Sequence, residues 1–126
     1  MKESESEVKV SPGGREYHFT GLENYQAAEE MKLGKTGKLI GIGNSMTPIL
    51  KSRQPVIAEP VTPETEIEKK DIVFCKVRGN YYLHLVWAVK KEKDSMMYLI
   101  GNNHGHSNGW IRRDKIFGKV VEVLDE

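Results

Sequence analysis

The chain is poor in cysteine: Cys75 is the one thiol in 126 residues. An intrachain disulfide is therefore excluded, and a zinc-type site would need histidine or carboxylate help. A reducing, cytoplasmic setting is the expectation. Long apolar runs are missing too, since nothing approaches the roughly 18 to 20 residues of a membrane-spanning helix. The opening Met1-Lys2-Glu3-Ser4-Glu5-Ser6-Glu7 has no apolar centre of a secretion signal. A soluble protein without a membrane partner follows. No sign of charge dominates, with 19 Lys and Arg against 18 Asp and Glu, so bulk electrostatics give no reason to expect nucleic acid.

What is present is a mainly β pattern behind a short helix. Residues 1 to 15 are charged and then turn-like at Ser11-Pro12-Gly13-Gly14, with too little apolar content to pack alone, and read as a loose arm or an added edge. Thr20 and Glu23 have capping-box spacing, and Leu22, Tyr25, Ala28 and Met31 recur at a helical period. The spacing predicts a helix from about Gly21 to Leu33 with its apolar stripe in the core. From Lys38 onward short β-type runs alternate with turn residues. Predicted strands are Lys38–Ile42, Pro55–Glu59, Asp71–Val77, Tyr81–Lys90, Met97–Ile100 and Ile116–Leu124, with a tight hairpin at Arg78-Gly79-Asn80. One domain is expected, with residues 1–37 as arm and helix and residues 38–126 as the β portion.

The chemistry centres on Gly41-Ile42-Gly43-Asn44-Ser45-Met46-Thr47-Pro48. Gly41 and Gly43 allow the backbone a sharp turn on one side of Ser45, and Pro48 stiffens the other. Alone, this is an ordinary turn composition. On the strand Tyr81–Lys90 the two-residue period puts Tyr82, His84, Val86 and Ala88 on one face and Tyr81, Leu83, Leu85 and Trp87 on the other. His84 is the polar exception, either a hydrogen-bonded core residue or, if it meets Ser45, a general base with a reference pKa of about 6.5.

Five boxes in order carry a resemblance: Gly43-Asn44-Ser45-Met46-Thr47-Pro48, Lys70-Asp71-Ile72-Val73, Leu83-His84-Leu85-Val86, Gly101-Asn102-Asn103 and Gly118-Lys119-Val120-Val121. Over roughly residues 38 to 124 the chain resembles the signal-peptidase and LexA-repressor superfamily of serine peptidases. The resemblance implies a coiled, mainly β peptidase domain, a peptide or protein substrate, no cofactor, and Ser45 as nucleophile. Repressor-type members carry lysine where this chain has His84; the archaeal and endoplasmic-reticulum signal peptidases carry histidine, so the likeness is to the second type. Those relatives follow the histidine with arginine, here Leu85, and carry two aspartates where this chain has Asn102 and Asn108.

An amide can orient an imidazole but brings no negative charge. In Ser-His-Asp proteases an Asp-to-Asn change at that place lowers turnover by about 10⁴, although papain-like enzymes function with asparagine. Asn102, Asn103 and Asn108 are all candidates to orient His84. The backbone amides of Asn44 and Ser45 are the expected oxyanion hole, and Gly43 supplies no hydroxyl donor to it. The resemblance thus leads to a compact stand-alone peptidase of phage or mobile-element type, without a repressor's DNA-binding domain. Self-cleavage at Gly13-Gly14 is a narrower expectation. The different-class alternative is an inactive module that holds an extended peptide in the same groove.

Other clusters have simpler readings. His104 and His106, with His84 and Cys75, lack any recognised metal-site spacing. Trp110-Ile111-Arg112-Arg113-Asp114-Lys115 has the composition of a strand-binding patch but also of a sheet-edge surface. Cys75, alternating with Val73 and Val77, reads as a buried small hydrophobe.

Overall fold

A computed structural model describes the backbone of Val8–Val10 and Glu16–Phe19 and, with side chains, residues 23–125. Gly13-Gly14 lies outside the described residues. Nine strands form one curled, largely antiparallel sheet: β1 (Val8–Val10), β2 (Glu16–Phe19), β3 (Gly37–Ile40), β4 (Pro55–Pro60), β5 (Ile72–Val77), β6 (Asn80–Glu92), β7 (Ser95–Gly101), β8 (Ser107–Arg112) and β9 (Ile116–Val123). The spatial order is β1-β2-β3-β4-β9-β5-β6-β7-β8. A mainly β fold is what the alternating runs predicted. Of the two expectations for residues 1–15, the added edge is what Val8–Val10 supplies: β1 is the edge strand beside β2, whose His18 pairs in parallel register with Gly37 of β3. β2, before residue 37, and β3, which begins there, thus lie in one hydrogen-bonded sheet.

One helix, α1 (Asn24–Lys32), is shorter than predicted. Its capping box uses Glu23 and Gln26 rather than Thr20 and Glu23, and the Glu23 amide donates to Gln26 Oε1 at 2.9 Å. Ala28 and Met31 of the predicted stripe are buried, together with Ala27, whereas Tyr25 is exposed because the buried face runs through Ala27 in its place. Gly34, with φ +93°, ends the helix in the left-handed region that glycine tolerates.

Strand alternation divides the apolar residues between the two faces of the sheet. On β5, Phe74 joins a cluster with Leu39, Met46, Leu50, Val56 and Phe117 beneath α1, and Val73, Cys75 and Val77 join Val86, Tyr98, Ile100 and Ile116 in a second cluster. Leu83 and Leu85 pack on the first cluster and Tyr82 and Val86 on the second, as the two-residue period predicts. The period slips at Trp87, where a bulge lets Val86 pair with Ile100 and Ala88 with Leu99. Beyond the bulge Val89, not Ala88, meets the second cluster.

Tight turns fix the registers. Arg78 and Gly79, with φ of 51° and 86°, join β5 to β6 by a two-residue turn of the kind that matches strand twist. Lys93 (φ 56°) helps join β6 to β7, which pair from Leu85–Gly101 to Glu92–Ser95. Besides β1 and β2, the strand without a predicted counterpart is β8, whose polar, glycine-containing start resembles a loop; it pairs with β7 from Met97–Arg112 to Gly101–Ser107.

Candidate functional site

Ser45 follows a glycine at positive φ, Gly43 (+108°), and starts a helical turn in which the Leu50 amide donates to Met46 O at 2.9 Å and the Thr47 amide to Asn44 O at 3.2 Å. The Thr47–Pro48 peptide is cis. Met46 and Leu50 are buried in the cluster under α1, which ties the turn to the core while Ser45 stays half-buried. His84 comes from the first half of β6, before the bulge, and is 7% exposed. Its ring lies against Tyr82, with centroids 4.8 Å apart.

The two residues meet. Ser45 Oγ lies 3.1 Å from His84 Nε2, and His84 Nδ1 lies 2.7 Å from Asn108 Oδ1 on β8. Asn108 presents an acceptor, so Nδ1 carries the ring proton and donates it there; the Nε2 lone pair is left facing the serine hydroxyl. Burial lowers the His84 pKa below 6.5, the hydrogen bond that its Nδ1 donates to Asn108 opposes that shift, and the neighbouring charge of His106 adds to it. The imidazole is therefore neutral near pH 7, the state a base requires.

Of the three asparagines expected to compete for the imidazole, Asn108 alone bonds to it. Asn102 Oδ1 accepts instead from the amides of His104 and His106, at 2.8 and 3.0 Å, closing the β7–β8 loop on itself. Asn103 turns the other way: its amide donates to Ser45 O and its Nδ2 to Thr47 O, both at 2.9 Å. Asn108 reaches the ring because it lies on a strand, and the missed strand is what concealed this from the sequence. A two-residue period running back from Trp110 was the available signal.

Among the described residues, neither the Asn44 nor the Ser45 amide donates to a protein acceptor, whereas the Gly43 amide donates to Ser52 Oγ at 2.9 Å. Ser52 thereby holds the backbone just before the two amides expected to form an oxyanion hole. A cleft of about 420 Å³ opens beside the pair. Leu39, Met46, Leu50, Phe74 and Leu83 line it, Ile40 and Ile42 form an exposed apolar rim, and Lys51 and Gln54 bring polar groups.

The remaining candidates lie elsewhere. Cys75 is fully buried, and burial pushes its thiol up to about 12, so no thiolate forms near neutral pH. His104 Nε2 pairs with Thr47 Oγ1 at 3.0 Å, and among the described residues no three His, Cys, Asp or Glu side chains gather as metal ligands would. In the basic segment Arg113 is occupied internally, bonding Tyr98 Oη at 3.2 Å and the carbonyls of Thr62 and Thr65, and Lys90 lies 4.3 Å above the Trp110 ring. No helix among the described residues is long and apolar enough to cross a membrane. Neither a scan of protein-family models nor a search of curated proteins finds a match to this chain.

Proposed function

We propose that the chain is a serine endopeptidase of the signal-peptidase and LexA type, with Ser45 as nucleophile and His84 as general base. The observation that carries this reading is the continuous relay from Ser45 Oγ through the imidazole to Asn108 Oδ1, with contacts of 3.1 and 2.7 Å. In the reaction Nε2 takes the hydroxyl proton as Oγ bonds to the scissile carbonyl carbon. The tetrahedral oxyanion faces the amides of Asn44 and Ser45. The proton held on Nε2 then passes to the leaving amine as the C–N bond breaks, leaving an acyl ester on Ser45. Water, deprotonated by the same nitrogen, hydrolyses that ester and restores the hydroxyl.

The cleft supports a peptide as the substrate. Among the described residues β3 pairs with β2 at Gly37 and Lys38, and the chain from Leu39 to Gly43 runs on along the cleft towards Ser45, a stretch beside which an extended segment can lie. Apolar side chains of that segment would enter the cleft. A serine-directed phosphonate probe tests the reading: it should label the native protein and leave Ser45→Ala and His84→Gln unlabelled. Equal labelling of native protein and Ser45→Ala, or none of the folded native protein, would count against an enzyme.

The neutral Asn108 favours a second reading, an inactive peptide-binding module, because an amide leaves the imidazolium without a stabilising charge. That module would bind apolar peptides in the cleft with the same affinity in the native protein and Ser45→Ala, and would cut none.

A further inference from the structure

The β7–β8 loop makes two kinds of contact with the pair. Asn108, just beyond it, holds the far nitrogen of the imidazole, while Asn103 grips the serine turn at two carbonyls, Ser45 O through its backbone amide and Thr47 O through its side chain. These carbonyls flank Met46, the buried residue that anchors the turn in the core. The loop that carries Asn103 is itself closed, with Asn102 accepting from two amides and its own carbonyl accepting from the Trp87 indole at 3.0 Å. One rigid hairpin end therefore touches both sides of the 3.1 Å gap between Ser45 and His84.

We propose that Asn103 is a positioning residue that sets the distance between Ser45 Oγ and His84 Nε2. This rests on the reading of Ser45 and His84 as a reacting pair, but its physical content is a contact that can be measured without turnover. The backbone half of the grip survives any side-chain change at 103. The side-chain half does not: an amide Nδ2 that donates to Thr47 O has no counterpart in alanine, or in leucine of similar size. Losing it frees the carboxyl side of the turn, and the hydroxyl moves relative to an imidazole whose other nitrogen stays fixed by Asn108. A displacement of about 1 Å at reacting atoms is enough to lose about a hundredfold in rate.

The test uses Asn103→Ala and Asn103→Leu, each made in the native protein and in Ser45→Ala. Imidazole nitrogen resonances are assigned with His84→Gln, and the His84 Nδ1 proton, held by Asn108, reports that the hairpin and β6 remain folded. In the native background both substitutions should shift the His84 Nε2 resonance in the same direction as Ser45→Ala does, with Nδ1 unchanged. In the Ser45→Ala background they should add less than about a fifth of that shift, because the contact they act through has gone. If the native protein reacts with the phosphonate probe, both variants should react at least tenfold more slowly, with little change in peptide affinity.

An unreactive native protein with the expected resonance pattern would remove the peptidase and keep the positioning role. An Nε2 resonance unmoved in both folded variants, or equal shifts with and without the serine hydroxyl, would overturn it. If the alanine variant unfolds, the leucine variant decides; if both unfold, with the Nδ1 proton lost, Asn103 is a structural residue and the proposal fails.

Discussion

The decisive group is an imidazole whose surroundings remove its charge. Burial and the His106 charge both disfavour the protonated form of His84, and the Asn108 hydrogen bond only partly offsets them. Reaction of Ser45 with the phosphonate probe should therefore lose its rate only below pH 6.5 on the acid side, and His106→Gln should move that midpoint up towards the ordinary histidine value; a pH series of labelling rates reads both. The same shift has a thermodynamic sign. Because the folded pKa is depressed, the unfolded chain binds more protons below about 6.5, so the His84 contribution to stability is complete above that pH and is lost as pH falls through the folded pKa. Asn108→Asp should also raise the His84 pKa, by placing a carboxylate on Nδ1. NMR titration measures that rise, and turnover should increase, by up to the factor of about 10⁴ that separates aspartate from asparagine in Ser-His-Asp proteases, about 5.5 kcal/mol.

At the scale of elements, the site depends on the way β6, β7 and β8 are locked together. A Cβ added at Gly101 would lie within 2.6 Å of three atoms of the Trp87 indole, so a larger residue here requires the indole to move. Trp87 is the bulge residue of β6, and its indole N–H donates to the Asn102 carbonyl. Gly101→Ala should thus displace the indole, break that bond and loosen the loop that carries Asn103. The expected cost is about 1 to 3 kcal/mol, the usual penalty of overpacking, read as a lower denaturation midpoint with unchanged slope. Slower probe labelling should accompany it. The sequence showed Gly101 as part of a box and Trp87 as one residue of a regular strand; it did not show that the two share one space, because the bulge that brings them together is a property of pairing with β7.

Across the whole molecule, two apolar clusters sit on opposite faces of one sheet, and the candidate site lies where the first meets the chain that leaves β3 towards Ser45. Arg113, in the short turn between β8 and β9, ties that end of the sheet to the β4–β5 connection through Thr62 and Thr65 and also reaches Tyr98 in the second cluster. Arg113→Met keeps much of the side-chain volume and leaves these oxygens without their donor. It should destabilise by about 1 kcal/mol, the net worth of hydrogen bonds that water can partly replace, since Thr62 is exposed and Thr65 half-buried, in equilibrium urea unfolding, without moving the acid midpoint of Ser45 labelling.

Local pattern determined a good deal of this protein by itself. Alternation wrote six of the strands, the Arg78-Gly79 turn wrote a hairpin, and the faces of β6 up to Val86 followed from a period of two, because these depend on near neighbours in the chain. Ser45 and His84 were legible as candidates because a glycine-flanked serine and a polar residue on an apolar face each break a local rule. Tertiary structure alone decided the rest. Whether Ser45 and His84 meet depends on β3, β5 and β6 being brought together through β4 and β9, 39 residues apart in sequence for the pair itself. Which asparagine holds the imidazole depends on β8, a strand that exists because β7 offers it an edge, its own residues having weak β character. Asn102, Asn103 and Asn108 are chemically identical; their three roles, closing a loop, gripping the serine turn and holding the ring, come only from where pairing across the sheet places each one.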